Sequence, residues 1–218
     1  MAIPSPIARN LLLSLALIAG AAGPALAQAG APTILVLGDS LSAGYGLAAG
    51  ETWVDLLQER LAAEGHPHRV VNASISGDTT RGGLSRLPRA LKIHQPSILI
   101  IELGGNDGLR GIPVSEYRNN LERMIQLGEG AGARILVAGI RLPPNYGPSY
   151  SRKFQEAQAA AASDHAFVPF ILEGVALEPD MMQQDGIHPT AAAQPRILDN
   201  LWPALLPLVE VTDKASVD

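Results

Sequence analysis

The chain has 218 residues, a formal net charge of −5 and no cysteine. A mildly acidic chain without a basic cluster argues against a nucleic-acid partner. A chain without cysteine needs no disulfide, even in an oxidising compartment. The length suits one domain with a full hydrophobic core.

The N-terminus has the layout of a secretory signal peptide. Arg9 supplies positive charge, residues 11–22 form a continuous apolar run, and Ala25-Leu26-Ala27 is an A-x-A cleavage site. The apolar run is too short for a comfortable membrane span. We therefore expect a periplasmic or secreted protein without a stable membrane anchor after cleavage. We expect a signal peptide at residues 1–27, one domain at residues 28–211 and a polar tail at residues 212–218.

Five short apolar runs predict the strands of a parallel sheet. Apolar and β-branched residues follow one another in these runs without alternation, as strands covered on both faces require. The predicted strands are Thr33–Leu37, Arg69–Asn72, Ser97–Leu103, Arg134–Ile140 and Ala166–Phe170.

Helical patterns lie between the strands and after the last one. Apolar residues at i, i+3 and i+4 predict a helix from Trp53 with Thr52 as its N-cap, and another around Tyr117 with Ser115 as its cap. Further helices are predicted over residues 157–162 and 195–208. Strands that alternate with helices predict a three-layer α/β/α sandwich around a five-stranded parallel sheet, in a single-domain monomer.

Polar loops follow the first three strands. In an open parallel sheet the ligand site lies beyond the carboxyl ends of the strands, and Ser40, Gly77 and Asn106 follow strands one, two and three. Each also has a purely structural interpretation: a helix N-cap for Ser40, a helix-start glycine for Gly77, and part of a glycine-rich turn for Asn106.

Asp185 and His188 lie three residues apart in a loop bounded by Gly186 and Pro189. This spacing lets the carboxylate reach the imidazole Nδ1–H while Nε2 faces a serine such as Ser40. Serine attacks carbonyls only when an imidazole takes its proton and a carboxylate holds that imidazole.

His188 alone among the five histidines has an acid so placed. His66 and His68 flank Pro67 in a polar connection, where we expect them to be solvated. The alternative for Asp185 and His188 is an Asp that caps a turn beside a surface histidine.

Four blocks of the sequence together resemble the SGNH (GDSL) hydrolase family. They are Gly38-Asp39-Ser40-Leu41-Ser42, Gly77, Gly104-Gly105-Asn106-Asp107 and Asp185-Gly186-Ile187-His188-Pro189. The resemblance implies a flavodoxin-like SGNH hydrolase domain over residues 28–211.

The resemblance also implies the role of each site residue. Ser40 would be the nucleophile, His188 the general base and Asp185 the residue that orients it. The backbone N–H groups of Ser40 and Gly77 and the side chain of Asn106 would form the oxyanion hole. We expect no metal and no cofactor, and a small-molecule acyl ester or thioester as the substrate.

The function predicted on this basis is an exported serine esterase that works through a covalent acyl-enzyme, as an arylesterase, acyl thioesterase or lysophospholipase. A carbohydrate O-acetylesterase of the same family and a non-catalytic acyl-binding module are the alternatives. The run Gly44–Ala49 fits a dinucleotide-binding pattern, but it begins several residues after its strand. The sequence has no G-x-S-x-G of an α/β-hydrolase and no H-E-x-x-H of a metallohydrolase.

Overall fold

Five parallel strands form the sheet that carries the site. The computed structural model describes residues 30–215, so the predicted signal peptide and residues 216–218 lie outside the described residues. The strands lie in the order β2-β1-β3-β4-β5, which is the flavodoxin-like order and confirms the predicted fold. They are β1 (Thr33–Gly38), β2 (Arg69–Asn72), β3 (Ile98–Glu102), β4 (Arg134–Ala138) and β5 (Ala166–Val168).

Helices cover both faces of the sheet. Successive side chains of a strand point to opposite faces, so Ile34 and Val36 of β1 pack into one core cluster and Leu35 and Leu37 into the other. The first cluster contains α2 (Trp53–Ala63) and α7 (Gln194–Ala215). The second contains α3 (Thr80–His94), α5 (Val114–Gly130) and α6 (Pro148–Ala161). Two short helices, α1 (Ser40–Ala43) and α4 (Gly105–Leu109), follow β1 and β3.

One predicted helix cap is confirmed and the other is wrong. The Thr52 hydroxyl accepts a hydrogen bond from the Asp55 N–H, and the Asp55 carboxylate accepts one from the Thr52 N–H, which is a capping box. Ser115 does not cap α5, because the helix begins one residue earlier, at Val114, after Pro113. Proline sets a backbone φ that suits a helix start, so the chain turns into α5 there.

Just after the end of β4, the side chain of Gln158 on α6 makes the backbone hydrogen bonds that a neighbouring strand would otherwise make. Its Oε1 accepts a hydrogen bond from the Ile140 backbone N–H at 2.8 Å, and its Nε2 donates to the Ile140 carbonyl at 2.7 Å. The side chain thus satisfies both backbone groups of Ile140, and β4 ends at Ala138, before the predicted end. β5 is also shorter than predicted, because Pro169 after Val168 has no N–H for the ladder.

The C-terminal helix extends past the domain boundary predicted at Val211. α7 continues to Ala215, and its Asp213 carboxylate lies 2.7 Å from Nδ1 of His66 and 3.3 Å from Nδ1 of His68. His68 is buried, and this burial lowers its pKa. The prediction that His66 and His68 are solvated is therefore wrong, because α7 covers a connection that is polar in sequence.

The helices within residues 30–215 are all too short or too polar to cross a bilayer.

Gln158→Leu keeps the approximate size of the side chain but removes both of its hydrogen-bonding groups. The buried N–H and C=O of Ile140 then lose their partners, at a cost of about 1–3 kcal/mol for each group. In urea denaturation we expect the free energy of unfolding to fall by about 2–6 kcal/mol. The control is Gln155→Leu, at an exposed position of the same helix, which should change stability by less than about 0.5 kcal/mol. Equal stabilities of the two variants would contradict this role of Gln158.

Candidate active site

Ser40 is the first residue of the helix that follows β1. The Asp39 carboxylate accepts a hydrogen bond from the Leu41 N–H at 3.1 Å and so caps α1. Asp39, and not Ser40, is therefore the N-cap, which leaves the Ser40 hydroxyl available for another contact.

That contact is with His188. The Ser40 Oγ lies 2.9 Å from His188 Nε2, and His188 Nδ1 lies 2.6 Å from Asp185 Oδ2. The other oxygen of Asp185 accepts hydrogen bonds from the backbone N–H groups of Ile187 and His188, at 2.9 and 3.0 Å. A continuous chain of two short contacts thus joins the carboxylate to the hydroxyl.

The Asp185 carboxylate is ionised at neutral pH. The hydrogen bonds from the His188 side chain and from the backbone N–H groups of His188 and Ile187 lower its pKa to about 2. An ionised carboxylate only accepts hydrogen bonds, so the imidazole must carry its proton on Nδ1. Nε2 is then the acceptor that faces the Ser40 hydroxyl, which is the arrangement that can take the proton of a nucleophilic serine.

Asn106 lies in α4 and contacts the same turn from the neighbouring strand end. Its Nδ2 donates a hydrogen bond to Asp39 Oδ2 at 3.0 Å. The turn that carries Asp39 and Ser40 is called the serine turn below. Because Asp39 accepts at this oxygen, the amide nitrogen of Asn106, and not its oxygen, faces the serine turn. One of the two Nδ2 protons remains for a ligand.

A second buried acid, Glu102, lies under the serine turn at the end of β3. Its Oε2 accepts hydrogen bonds from Ser42 Oγ at 2.7 Å and from the Asp39 N–H at 3.4 Å. Burial raises the pKa of Glu102 well above its usual range, and the nearby Asp39 raises it further. Burial also raises the pKa of Asp39, to about 6. Burial therefore favours the protonated form of Glu102, while Asp39, with a pKa of about 6, is mostly ionised at neutral pH.

The Gly77 loop runs beside the serine turn. The Ile75 N–H donates a hydrogen bond to the Gly38 carbonyl at 3.0 Å, so the chain after β2 continues along the end of β1. Gly77 has a φ of +79°, in the left-handed region that favours glycine. Arg110 donates to its carbonyl at 2.8 Å and thereby links this loop to the end of α4.

Hydrogen bonds connect four of the five predicted site residues, and Gly77 is positioned by its loop. Ser40, His188 and Asp185 are in direct contact, and Asn106 joins them through Asp39. The sequence analysis missed the parts that Asp39 and Glu102 play in this arrangement. A signal was present for Glu102, because an acid at the end of a wholly apolar strand must be buried.

The sequence of the chain matches a known family and several characterised enzymes. Residues 36–195 match the GDSL-like lipase/acylhydrolase family. Esterase TesA of Pseudomonas aeruginosa is 55% identical over 184 residues, which are 84% of this chain and 92% of that protein. Thioesterase 1/protease 1/lysophospholipase L1 of Escherichia coli K12 is 46% identical over 183 residues, which are 83% of this chain and 86% of that protein.

Solved structures show the same similarity. The crystal structure of TesA covers 81% of this chain and 99% of its own, with 55% identity and a TM-score of 0.80. The psychrotrophic esterase EstA from a Pseudoalteromonas species, in a structure inhibited by monoethylphosphonate, covers 82% of this chain and 98% of its own, with 41% identity and a TM-score of 0.77. The chain belongs to the GDSL-like lipase/acylhydrolase family, the SGNH hydrolases, and is a hydrolase of ester bonds.

Proposed function

We propose that this protein is an exported serine esterase that cleaves acyl esters and thioesters through a covalent acyl-enzyme. Ser40 is the nucleophile, His188 the general base and Asp185 the residue that orients the imidazole. The observation that carries this proposal is the chain of contacts from Asp185 Oδ2 through the His188 ring to Ser40 Oγ, at 2.6 and 2.9 Å. Hydrogen-bond reach between nucleophile, base and orienting carboxylate is the geometric signature of this mechanism.

The reaction proceeds in two acyl transfers. Ser40 Oγ attacks the carbonyl carbon of the substrate while its proton moves to His188 Nε2, which forms a tetrahedral oxyanion. When the bond to the leaving group breaks, the imidazolium returns that proton to the departing alcohol or thiol. Water then attacks the acyl-enzyme, His188 takes a proton from it, and the carboxylic acid leaves as Ser40 regains its proton.

The oxyanion is stabilised by the backbone N–H groups of Ser40 and Gly77 and by the Asn106 side chain. Asn106 is suited to this role because Asp39 accepts one of its Nδ2 protons at 3.0 Å and leaves the other. A neutral amide also donates without competing for the proton of the nucleophile. Removal of one such donor typically costs ~2.7–4 kcal/mol of transition-state stabilisation.

The surface around Ser40 favours an apolar acyl or aryl substrate over a sugar. Ile75 and Ile187 are large apolar side chains that are 54% and 44% exposed, and both lie on the loops that carry the site. Sites of this kind bind apolar ligand groups and use a few polar groups for orientation. The related proteins named arylesterase and thioesterase 1/protease 1/lysophospholipase L1 support the same substrate classes.

Export rests on the N-terminal sequence. The positive Arg9, the apolar residues 11–22 and the small residues of Ala25-Leu26-Ala27 have the composition and order of a cleavable signal peptide.

Ser40→Ala should abolish turnover of p-nitrophenyl butyrate and labelling by a fluorophosphonate probe, because it removes the hydroxyl that contacts His188 Nε2. We expect kcat to fall by roughly 10⁴-fold or more. Ser85→Ala, at an exposed position of α3, is the control and should behave as wild type. Full activity of Ser40→Ala would overturn the proposed mechanism.

The same pair of variants should be measured on esters of increasing acyl length, an acyl-CoA thioester and a lysophospholipid. Wild-type activity on acetyl-xylan that exceeds the activity on all of these would favour an O-acetylesterase instead.

Asp39→Asn should change how stability depends on pH and should slow turnover. Burial raises the pKa of Asp39 to about 6 from 3.8, so the stability due to its protonated form is present below about pH 3.8 and is lost as the pH rises through about 6. The amide of the variant does not titrate. The free energy of unfolding of the wild type should therefore fall relative to that of the variant by roughly 2 kcal/mol from pH 4 to pH 8.

Turnover should fall because the new side chain has only one acceptor oxygen for the Leu41 N–H and the Asn106 amide. At pH 8 the kcat of Asp39→Asn should approach that of Asn106→Ala. The titratable groups that face Asp39 are Glu102, Asp107 and His188, and they remain in the variant. Asp164→Asn, at an exposed position, is the control, and its unfolding curves should follow wild type at every pH. If the free energy of unfolding of Asp39→Asn depended on pH in the same way as that of the wild type, the prediction would be contradicted.

Expression of the full chain in a Gram-negative host tests export. We expect N-terminal sequencing of the periplasmic protein to begin at Gln28, after Ala27. Leu15→Arg interrupts the apolar run, and this variant should remain uncleaved in the cytoplasm. An uncleaved wild-type chain in the cytoplasm would contradict export.

A further inference from the structure

The loop that carries His188 has little regular structure of its own. Met182 and Pro189 form an isolated antiparallel bridge, and the Gln183 N–H donates a hydrogen bond to the His188 carbonyl at 2.7 Å. These contacts join the two ends of the loop. They do not attach it to the segment that carries Ser40 and Tyr45, which is called the serine side of the site below. Contacts between the two sides must therefore decide where the imidazole lies.

The Gln183 side chain makes such a contact. Its Nε2 donates hydrogen bonds to the Tyr45 carbonyl at 2.8 Å and to the Pro189 carbonyl at 2.9 Å. Tyr45 follows α1, the helix that begins with Ser40. Both amide protons of Gln183 are thus used to join the serine side to the residue after His188.

The backbone of the serine side approaches this amide closely. Gly46 has a φ of +76°, and a Cβ at this position would lie 2.4 Å from Gln183 Oε1. A Cβ at Gly46 would displace the Gln183 amide from its hydrogen bonds, and the positive φ favours glycine at this position.

The Tyr45 ring contacts the imidazole itself. The centroids of the Tyr45 and His188 rings are 4.4 Å apart, with an angle of 35° between the ring planes. This contact covers one side of the imidazole and opposes its rotation away from Ser40. Attraction between an aromatic ring and a cation also favours the imidazolium that forms when Ser40 loses its proton.

We propose that Gln183 and Tyr45 are positioning residues that hold the His188 imidazole against Ser40. Gln183 sets the distance between the two loops through its two hydrogen bonds, and Tyr45 restricts the ring. This inference rests on the proposed function, because it assumes that His188 is the general base for Ser40.

Gln183→Glu tests the amide contact with a side chain of the same shape. It replaces the Nε2 donor by an oxygen, which then faces the carbonyls of Tyr45 and Pro189. We expect kcat on p-nitrophenyl butyrate to fall by roughly 10- to 100-fold, because a small displacement of a catalytic group has effects of this size. KM should stay within about twofold. Gln184→Glu, the same change at the exposed neighbouring position, is the control and should match wild type.

Tyr45→Ala and Tyr45→Phe test the ring contact. Tyr45→Ala should lower kcat with little change in KM, whereas Tyr45→Phe keeps the ring and should retain activity within about twofold. Because both residues act on the same imidazole, the double variant Tyr45→Ala/Gln183→Glu should lose less than the product of the two single losses.

The concentration of active sites is measured by labelling each protein to completion with the fluorophosphonate probe. Each kcat is then calculated per labelled active site. A loss that disappears on this scale would overturn the proposal, since it would reflect misfolded protein alone. A rise in KM with unchanged kcat would also overturn it, since Tyr45 would then contact the substrate and not position His188.

Ser40→Ala separates the two proposals. If Ser40→Ala is inactive while Gln183→Glu and Tyr45→Ala match wild type, only the positioning role fails. If Ser40→Ala keeps full activity, the proposed function itself fails.

Discussion

The hydrogen bond between His188 Nε2 and Ser40 Oγ joins residues that lie 148 positions apart in the chain. Ser40 leaves β1 near the middle of the sheet, whereas His188 comes after all five strands and just before α7. The start of α7 connects the two regions, because Gln194 Oε1 accepts a hydrogen bond from the Trp53 N–H at the start of α2, at 2.9 Å. Both helices pack in the same core cluster on one face of the sheet. The geometry of the site therefore depends on how that face is packed.

The carboxyl groups around Ser40 have opposite environments, and this difference suits the proposed chemistry. Asp185 is close to the surface and its hydrogen bonds with His188 and Ile187 lower its pKa, so it stays ionised beside the imidazole. Glu102 is buried under the serine turn, and this burial raises its pKa and favours its protonated form. In its protonated form Glu102 supports the serine turn without adding a second negative charge beside Asp39.

The environment of Asp39 combines features of those of Asp185 and Glu102, since Asp39 is both buried and hydrogen-bonded. Burial partly destabilises its ionised form. Asp39 is 2% exposed and its pKa is raised to about 6, mainly by burial. Its carboxylate nevertheless accepts hydrogen bonds from the Leu41 N–H and from Asn106. A site that holds a buried charge for the sake of geometry is a common form of the trade-off between stability and activity.

Membership of the family and the choice of substrate depend on different parts of the molecule. In the proposed mechanism the strand-end loops carry the residues that polarise an acyl carbonyl, and the same residues would serve oxygen and sulfur leaving groups alike. The exposed side chains of Ile75 and Ile187 lie on the same loops without taking part in these hydrogen bonds. Relatives with names as different as arylesterase and thioesterase 1/protease 1/lysophospholipase L1 share 46% identity with this chain. We therefore propose that substrate preference depends on the apolar side chains of Ile75 and Ile187 more than on the proposed triad.

The amino-acid sequence by itself was enough to predict the strands and their parallel arrangement and to single out the candidate site residues. Apolar runs mark buried strands, Thr52 marks a helix start, and the short spacing of Asp185 and His188 places both groups in one loop, because all of these are local effects. Only the tertiary structure decided that Asp39 holds Asn106, that Gln158 ends β4, that α7 buries His68 and that Gln183 reaches Tyr45. These contacts join residues that are distant in the chain, and a single polar side chain has no periodicity that reveals its partner. Their energy comes from burial and hydrogen bonding, which exist only after the sheet and helices have packed.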